Sequence, residues 1–174
     1  MKNGLVAALL AVVLALPLPA AAQFIHELRG GVLAHDIPIV AAGRYETGIG
    51  LNAEIAFSPY VSLLGGTIRP ALGGTFASQG GTSWIYLEAK WEWTIDRLFL
   101  GIGLGPAIHN GELQYVNGRK GLGSRVLFHV PLEVGFQITD KARLSVYYEH
   151  VSNGFLVWPN PGMDNIGGRL AWRF

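Results

Sequence analysis

From Phe24 to Phe174 apolar and polar residues alternate with period two in segment after segment, as they do in β-strands that turn one face to an apolar phase. The alternation predicts eight strands, at about residues 24–34, 45–57, 60–77, 83–95, 97–109, 123–138, 142–154 and 164–174. The sixth is the clearest: Val126, Phe128, Val130, Leu132, Val134, Phe136 and Ile138 form one bulky face, opposite His129, Glu133, Gly135 and Gln137. In the fifth, Leu98, Leu100, Ile102, Leu104 and Ile108 oppose Gly101, Gly103, Gly105 and Ala107. In the fourth, Ile85, Leu87, Ala89, Trp91 and Trp93 oppose Glu88, Lys90 and Glu92.

Such alternation fits a soluble barrel with its apolar face inside or a membrane barrel with that face outside. The second face decides. It mixes glycine and alanine with charges of both signs, which suits the crowded interior of a narrow barrel better than the Lys/Glu-rich exterior of a secreted protein. The apolar faces also exceed the roughly 9–11 residues that a spanning strand needs. Ser58-Pro59, Asp96-Arg97 and Thr139-Asp140-Lys141 read as tight turns, and the segments between them are longer or richer in glycine. Short turns at one end and long loops at the other are the asymmetry of bacterial outer-membrane barrels. The predicted fold is an all-β, eight-stranded antiparallel transmembrane β-barrel.

The N-terminus adds a compartment. Lys2, an apolar run from Leu5 to Leu18 and Ala20-Ala21-Ala22 before Gln23 form a secretory signal with an A-x-A cleavage site. Residues 1–22 are read as signal peptide and 23–174 as the barrel domain. No cysteine occurs, which removes disulfides, thiolate metal sites and lipid attachment at a cysteine. The last residues, Leu170-Ala171-Trp172-Arg173-Phe174, look like the terminal strand signal that such barrels present to their assembly machinery. A net charge of +1 gives no ground for a nucleic-acid partner. The basic pair Arg119-Lys120 reads as a solvated loop.

Two motif fragments lead nowhere. Gly101-x-Gly-x-Gly105 lacks the spacing and following helix of a phosphate loop, and His26-Glu27 has Gly30 where a zinc-protease motif needs a second histidine. His35, His109 and His129 stand alone, with loop or interior roles predicted; no metal site and no cofactor are implied.

The chemistry concentrates near the C-terminus. His150 and Ser152 are i and i+2 on one strand and share a face. Leu144, Val146 and Tyr148 lie on that face too, while Arg143, Ser145, Tyr147 and Glu149 take the other. On the next strand Asp164 has the parity of Ile166, Leu170, Trp172 and Phe174. All three candidates are therefore predicted to face outward beside the loop joining two antiparallel neighbours. Eight strands put both termini on the periplasmic side, so that loop is extracellular and the site meets the outer leaflet. Ser152 would attack an ester carbonyl, His150 would shuttle the proton, and Asp164 would hold the imidazole tautomer. Asn153 is the oxyanion candidate, with shaping of the turn beside Gly154 as its alternative role.

The segment His150-Val-Ser-Asn-Gly154, the loop Pro159-Asn160-x-Gly162 and Asp164 resemble the C-terminal end of the PagL-type lipid A 3-O-deacylases. The resemblance covers about the last thirty residues; upstream it is one of architecture. It implies an eight-stranded outer-membrane barrel of a Gram-negative bacterium that hydrolyses the ester-linked acyl chain at the 3-position of lipid A. His150 and Ser152 match the family's base and nucleophile, and Asn153 matches its asparagine after the serine. The family's acid is Glu where this chain has Asp164, so the shorter side chain calls for a small backbone adjustment or a different third group. Lipid A or lipopolysaccharide is the implied partner, with the oligomeric state left open. A phospholipase-like hydrolase and a non-enzymatic structural or adhesive barrel are the competing readings.

Overall fold

The computed structural model describes residues 24–174. The predicted signal peptide lies outside the described residues. Strands β1 (Ile25–Ala34), β2 (Ile49–Phe57), β3 (Val61–Leu63), β4 (Gly66–Ala77), β5 (Trp84–Ile95), β6 (Leu98–His109), β7 (Val126–Gln137), β8 (Ala142–Ser152) and β9 (Met163–Arg173) follow in chain order. All sheet pairings are antiparallel, and β1 pairs with both β2 and β9, which closes the sheet into a barrel.

Eight of these strands make the wall, since β2 pairs directly with β4 from Gly50↔Ala77 to Ala56↔Ala71. The expected single strand over 60–77 is in fact a hairpin. Leu64 and Gly65 both take positive φ, 46° and 76°, and the chain reverses there, so β3 folds back to pair Val61 with Ile68. Two consecutive left-handed residues are what a two-residue hairpin turn demands. Ser58-Pro59 is thus the start of a longer excursion rather than a complete tight turn. The second strand also begins later than expected, at Ile49.

The faces fall as the alternation predicts. Leu98, Leu100, Ile102 and Leu104 of β6, Leu132, Val134 and Phe136 of β7, and Leu144 and Val146 of β8 are all exposed on the outer wall. Continuous apolar surface of this kind is stable against hydrocarbon rather than water, and closure leaves no unpaired strand edge within it. Inside, the charges pair with one another. Arg29 meets Glu54 at 3.1 Å and Glu133 at 3.2 Å, Lys90 meets the same two carboxylates at 3.1 and 3.0 Å, Arg143 meets Glu27 at 2.8 Å, and Arg169 meets Glu54 at 3.1 Å. His129 bridges Glu88 and Glu149 across the bore. Glycines make room for these side chains: a Cβ at Gly103 would stand 3.0 Å from Glu88 Oε1.

The connections over residues 35–48, 78–83, 110–125 and 153–162 gather at one end, and the turns at 96–97 and 138–141 lie at the other with the β3 hairpin. The long connections knit together. Lys120, expected in a solvated loop, is fully buried and paired with Asp36 at 2.5 Å. Asp36 also accepts hydrogen bonds from the N–H groups of Tyr45 and Glu46. Glu46 in turn binds His35 at 3.0 Å and accepts from the Thr82 hydroxyl at 2.7 Å. Burial pushes the Glu46 carboxyl upward, but the hydrogen bonds from His35 and Thr82 outweigh it and hold the group at about 2.

Candidate functional site

β8 and β9 deliver the site at the knitted end. His150 and Asp164 stand directly opposite each other in the β8–β9 ladder. Their side chains share the outer face, and His150 Nδ1 lies 2.6 Å from Asp164 Oδ1. With the carboxylate accepting from Nδ1–H, Nε2 is left as the basic nitrogen. The aspartate reaches the imidazole directly from its cross-strand position. Glu149, the nearest acid in sequence, points into the bore, where it binds Thr75, His129 and Asn165.

Ser152 follows His150 by two residues on the same half-buried face. Among the described residues no hydrogen bond joins its Oγ to the imidazole; a serine hydroxyl moves between staggered positions by rotation about χ1. Gly162 leaves room for the ring. A Cβ at Gly162 would stand 2.7 Å from His150 Cε1, and Gly162 takes φ +66°, so the close approach and the backbone both call for glycine.

Asp164 departs from expectation in one respect. It has outward parity, yet it is completely buried, because residues 37–42 of the β1–β2 connection lie across it. Its Oδ2 accepts hydrogen bonds from three consecutive backbone N–H groups, those of Ile39 (3.0 Å), Val40 (2.6 Å) and Ala41 (2.7 Å). Its Oδ1 also accepts from the Tyr148 hydroxyl at 2.9 Å.

Asn153 is placed differently from the oxyanion reading. Its amide nitrogen donates toward three carbonyls, those of Leu122 (2.9 Å), Val157 (2.8 Å) and Pro159 (3.1 Å), and its backbone N–H donates to Asn160 Oδ1 at 2.9 Å. A primary amide has two protons to give, so in this arrangement both are spent. Asn153 binds the end of β8, the 153–162 loop and the 110–125 loop into one piece, which is its turn-shaping alternative on a larger scale. Beyond it, Phe155 is 83% and Trp158 79% exposed, forming an apolar crest over the site end.

The fold and the site together define a membrane β-barrel with a histidine–carboxylate pair and a serine on its outer wall. The chain belongs to the lipid A 3-O-deacylase (PagL) family, whose model matches residues 46–173. It is 28% identical over 85 residues to the lipid A deacylase PagL of Bordetella bronchiseptica, a match covering 49% of this chain and 46% of that protein. The chain thus spans about half the length of the curated relative it matches. Among solved structures, the outer membrane enzyme PagL superposes with a TM-score of 0.64 at 18% identity, over 85% of this chain and 99% of that one. Neisserial surface protein A gives 0.54 at 10% identity, over 85% and 96%. Ail of Yersinia pestis gives 0.51 at 11% identity, over 87% and 100%. At these identities the structural likenesses speak for the eight-stranded fold alone.

Proposed function

We propose that the protein is an outer-membrane serine esterase that removes the ester-linked 3-position acyl chain of lipid A. The observation that carries this reading is the 2.6 Å hydrogen bond between His150 and Asp164, with Ser152 on the same outward face. Family membership supplies the substrate class, and the alternative is chemically specific enough to be tested.

In this mechanism Ser152 Oγ attacks the ester carbonyl while His150 Nε2 takes its proton. Collapse of the tetrahedral adduct expels the sugar 3-hydroxyl, which receives that proton from the imidazolium. Water then gives a proton to Nε2 as its oxygen attacks the acyl-serine. Collapse of the second adduct breaks the bond to Ser152 Oγ, which takes the proton back from the imidazolium as the 3-hydroxy fatty acid leaves. Asp164 holds the Nδ1–H tautomer and balances the imidazolium charge. The long connections would face the cell exterior and the short turns the periplasm, so that His150 and Ser152 meet the outer leaflet at the depth of the ester-linked chains. The crest of Phe155, Leu156 and Trp158 suits the headgroup boundary, where tryptophan is favoured.

Mass spectrometry of lipid A incubated with the pure protein should show loss of one 3-hydroxyacyl chain. Ser152→Ala and His150→Ala should each lower the rate by several orders of magnitude, about as much as both together, because the two act as one unit. The folded barrel should persist in both variants, seen as different gel migration of boiled and unboiled samples. Release of fatty acid from phosphatidylethanolamine with lipid A untouched would instead identify a phospholipase. No change in either lipid would leave a structural or adhesive barrel.

A further inference from the structure

Asp164 has more partners than orienting a histidine requires. One oxygen serves His150 and Tyr148, and the other receives three successive main-chain N–H groups from a segment remote in sequence. Consecutive amides converging on one point form a nest, an anion-binding concavity of fixed partial charges. The segment is pinned to the same strand end by two further main-chain bonds, Ile37 N–H to Asp164 O at 2.9 Å and Ala42 N–H to Pro161 O at 2.7 Å. Pro38 limits the backbone within it, and Gly43, at φ +65°, turns the chain away after it. The side chains of Ile39 and Val40 point the other way: Val40 gives its N–H inward and is 70% exposed outward. The strap thus shows its dipoles to the carboxylate and an apolar face to its surroundings, which keeps water from competing for Oδ2.

We propose that residues 37–42 are a positioning strap for the triad acid: the amides of Ile39, Val40 and Ala41 fix the Asp164 carboxylate so that its other oxygen holds His150. This rests on the Ser152–His150–Asp164 reading and deepens it. In this role the strap acts only through the Asp164 carboxylate. Hydrogen bonds to an ionised acceptor are the strong ones, and each here is made to a buried group whose alternative is no partner at all. Losing one amide lets the carboxylate rotate toward the remaining donors and away from the imidazole, so the damage falls on proton transfer rather than on lipid binding.

Two strap variants test this. Ala41→Pro deletes one amide donor, and Pro38→Gly keeps all three but frees the backbone that aims them. Both changes lie outside the wall strands, and heat-dependent gel migration verifies assembly of each. With a soluble short-chain nitrophenyl ester, Ala41→Pro should lower kcat about tenfold or more, with KM changed less than about twofold. Pro38→Gly should act in the same direction to a smaller extent. In an Asp164→Ala background neither should lower kcat further, because the strap acts only through that carboxylate. Proton NMR in detergent gives a readout apart from turnover: the downfield His150 Nδ1–H resonance, absent in Asp164→Ala, should shift or broaden in both variants. An assembled strap variant with unaltered kcat and an unaltered resonance overturns the strap while leaving the esterase reading in place. Equal losses with and without Asp164 would make the segment merely structural and also overturn it. Absence of any ester hydrolysis by the unsubstituted protein, or full activity in Ser152→Ala, would sink the triad reading itself.

Discussion

In the proposed triad, a difference of one atom at Asp164 would decide the mechanism. Asparagine has nearly the same shape, but only one of its two terminal atoms accepts hydrogen bonds. In Asp164→Asn the amide oxygen would take the place facing Ile39, Val40 and Ala41, since an NH2 there would oppose three donors. The NH2 would then face His150 Nδ1 and force the tautomer protonated at Nε2, which cannot accept a proton from serine. Turnover should therefore fall on the order of 10³–10⁴-fold, with the barrel intact, as single-turnover kinetics on lipid A would register. The pairing of His150 with Asp164 was legible in the sequence because both have outward parity on consecutive antiparallel strands, close to the loop that joins them. The three amides were not, because a main-chain N–H leaves no mark in a residue name. Asn153 is ambiguous in the sequence for a related reason: its type suits an oxyanion donor and a loop clasp equally, and it is the carbonyls of Leu122, Val157 and Pro159, in two separate loops, that take its amide protons here.

At the scale of elements, strands were the legible part and connections were not. Period-two alternation survives in β5 to β8 because each residue there faces either lipid or the bore, and both environments are selective. It fails over 60–77, where apolar residues continue through the turn and Leu64 adopts a left-handed conformation that its side chain does not advertise. The long connections are held by charges whose partners lie in other loops, as with Lys120 and Asp36 or Glu46 and Thr82. Glu46 makes this cohesion depend on acidity. Its carboxyl is held at about 2, below its ordinary 4.5, so it favours the knitted loops fully above the ordinary value and loses that contribution as pH falls from there toward 2. Pepsin cleavage within 35–48, normalised to a denatured substrate, should accelerate across that window in the natural protein. Glu46→Gln should be cleaved faster than the natural protein at the upper end, and the two rates should converge near pH 2.

For the whole molecule, the alternation announced a barrel with charges of both signs inside, but not which charge meets which. Those contacts depend on the register of strands far apart in the chain, such as β1 with β9 and the inward reach of Glu133 from β7. The result is a bore occupied by interlocked side chains: Arg29, Arg143 and Arg169 lie against Glu27, Glu54 and Glu133, with Tyr86 stacked on His129 at a ring separation of 3.9 Å above them. Wider membrane barrels, of about 16–18 strands, enclose an aqueous channel, and a pore in the cell envelope leaks. Here Arg29, Lys90, Arg143 and Arg169 interlock with Glu27, Glu54 and Glu133 across the bore, and moving one aside would strand its partner away from water. Inserted into a planar bilayer under an applied voltage, the protein should carry no resolvable current steps at any polarity. Stepwise conductance would mean that the salt-bridge lattice opens. A silent barrel would do its chemistry on the outside while remaining, electrically, part of the wall.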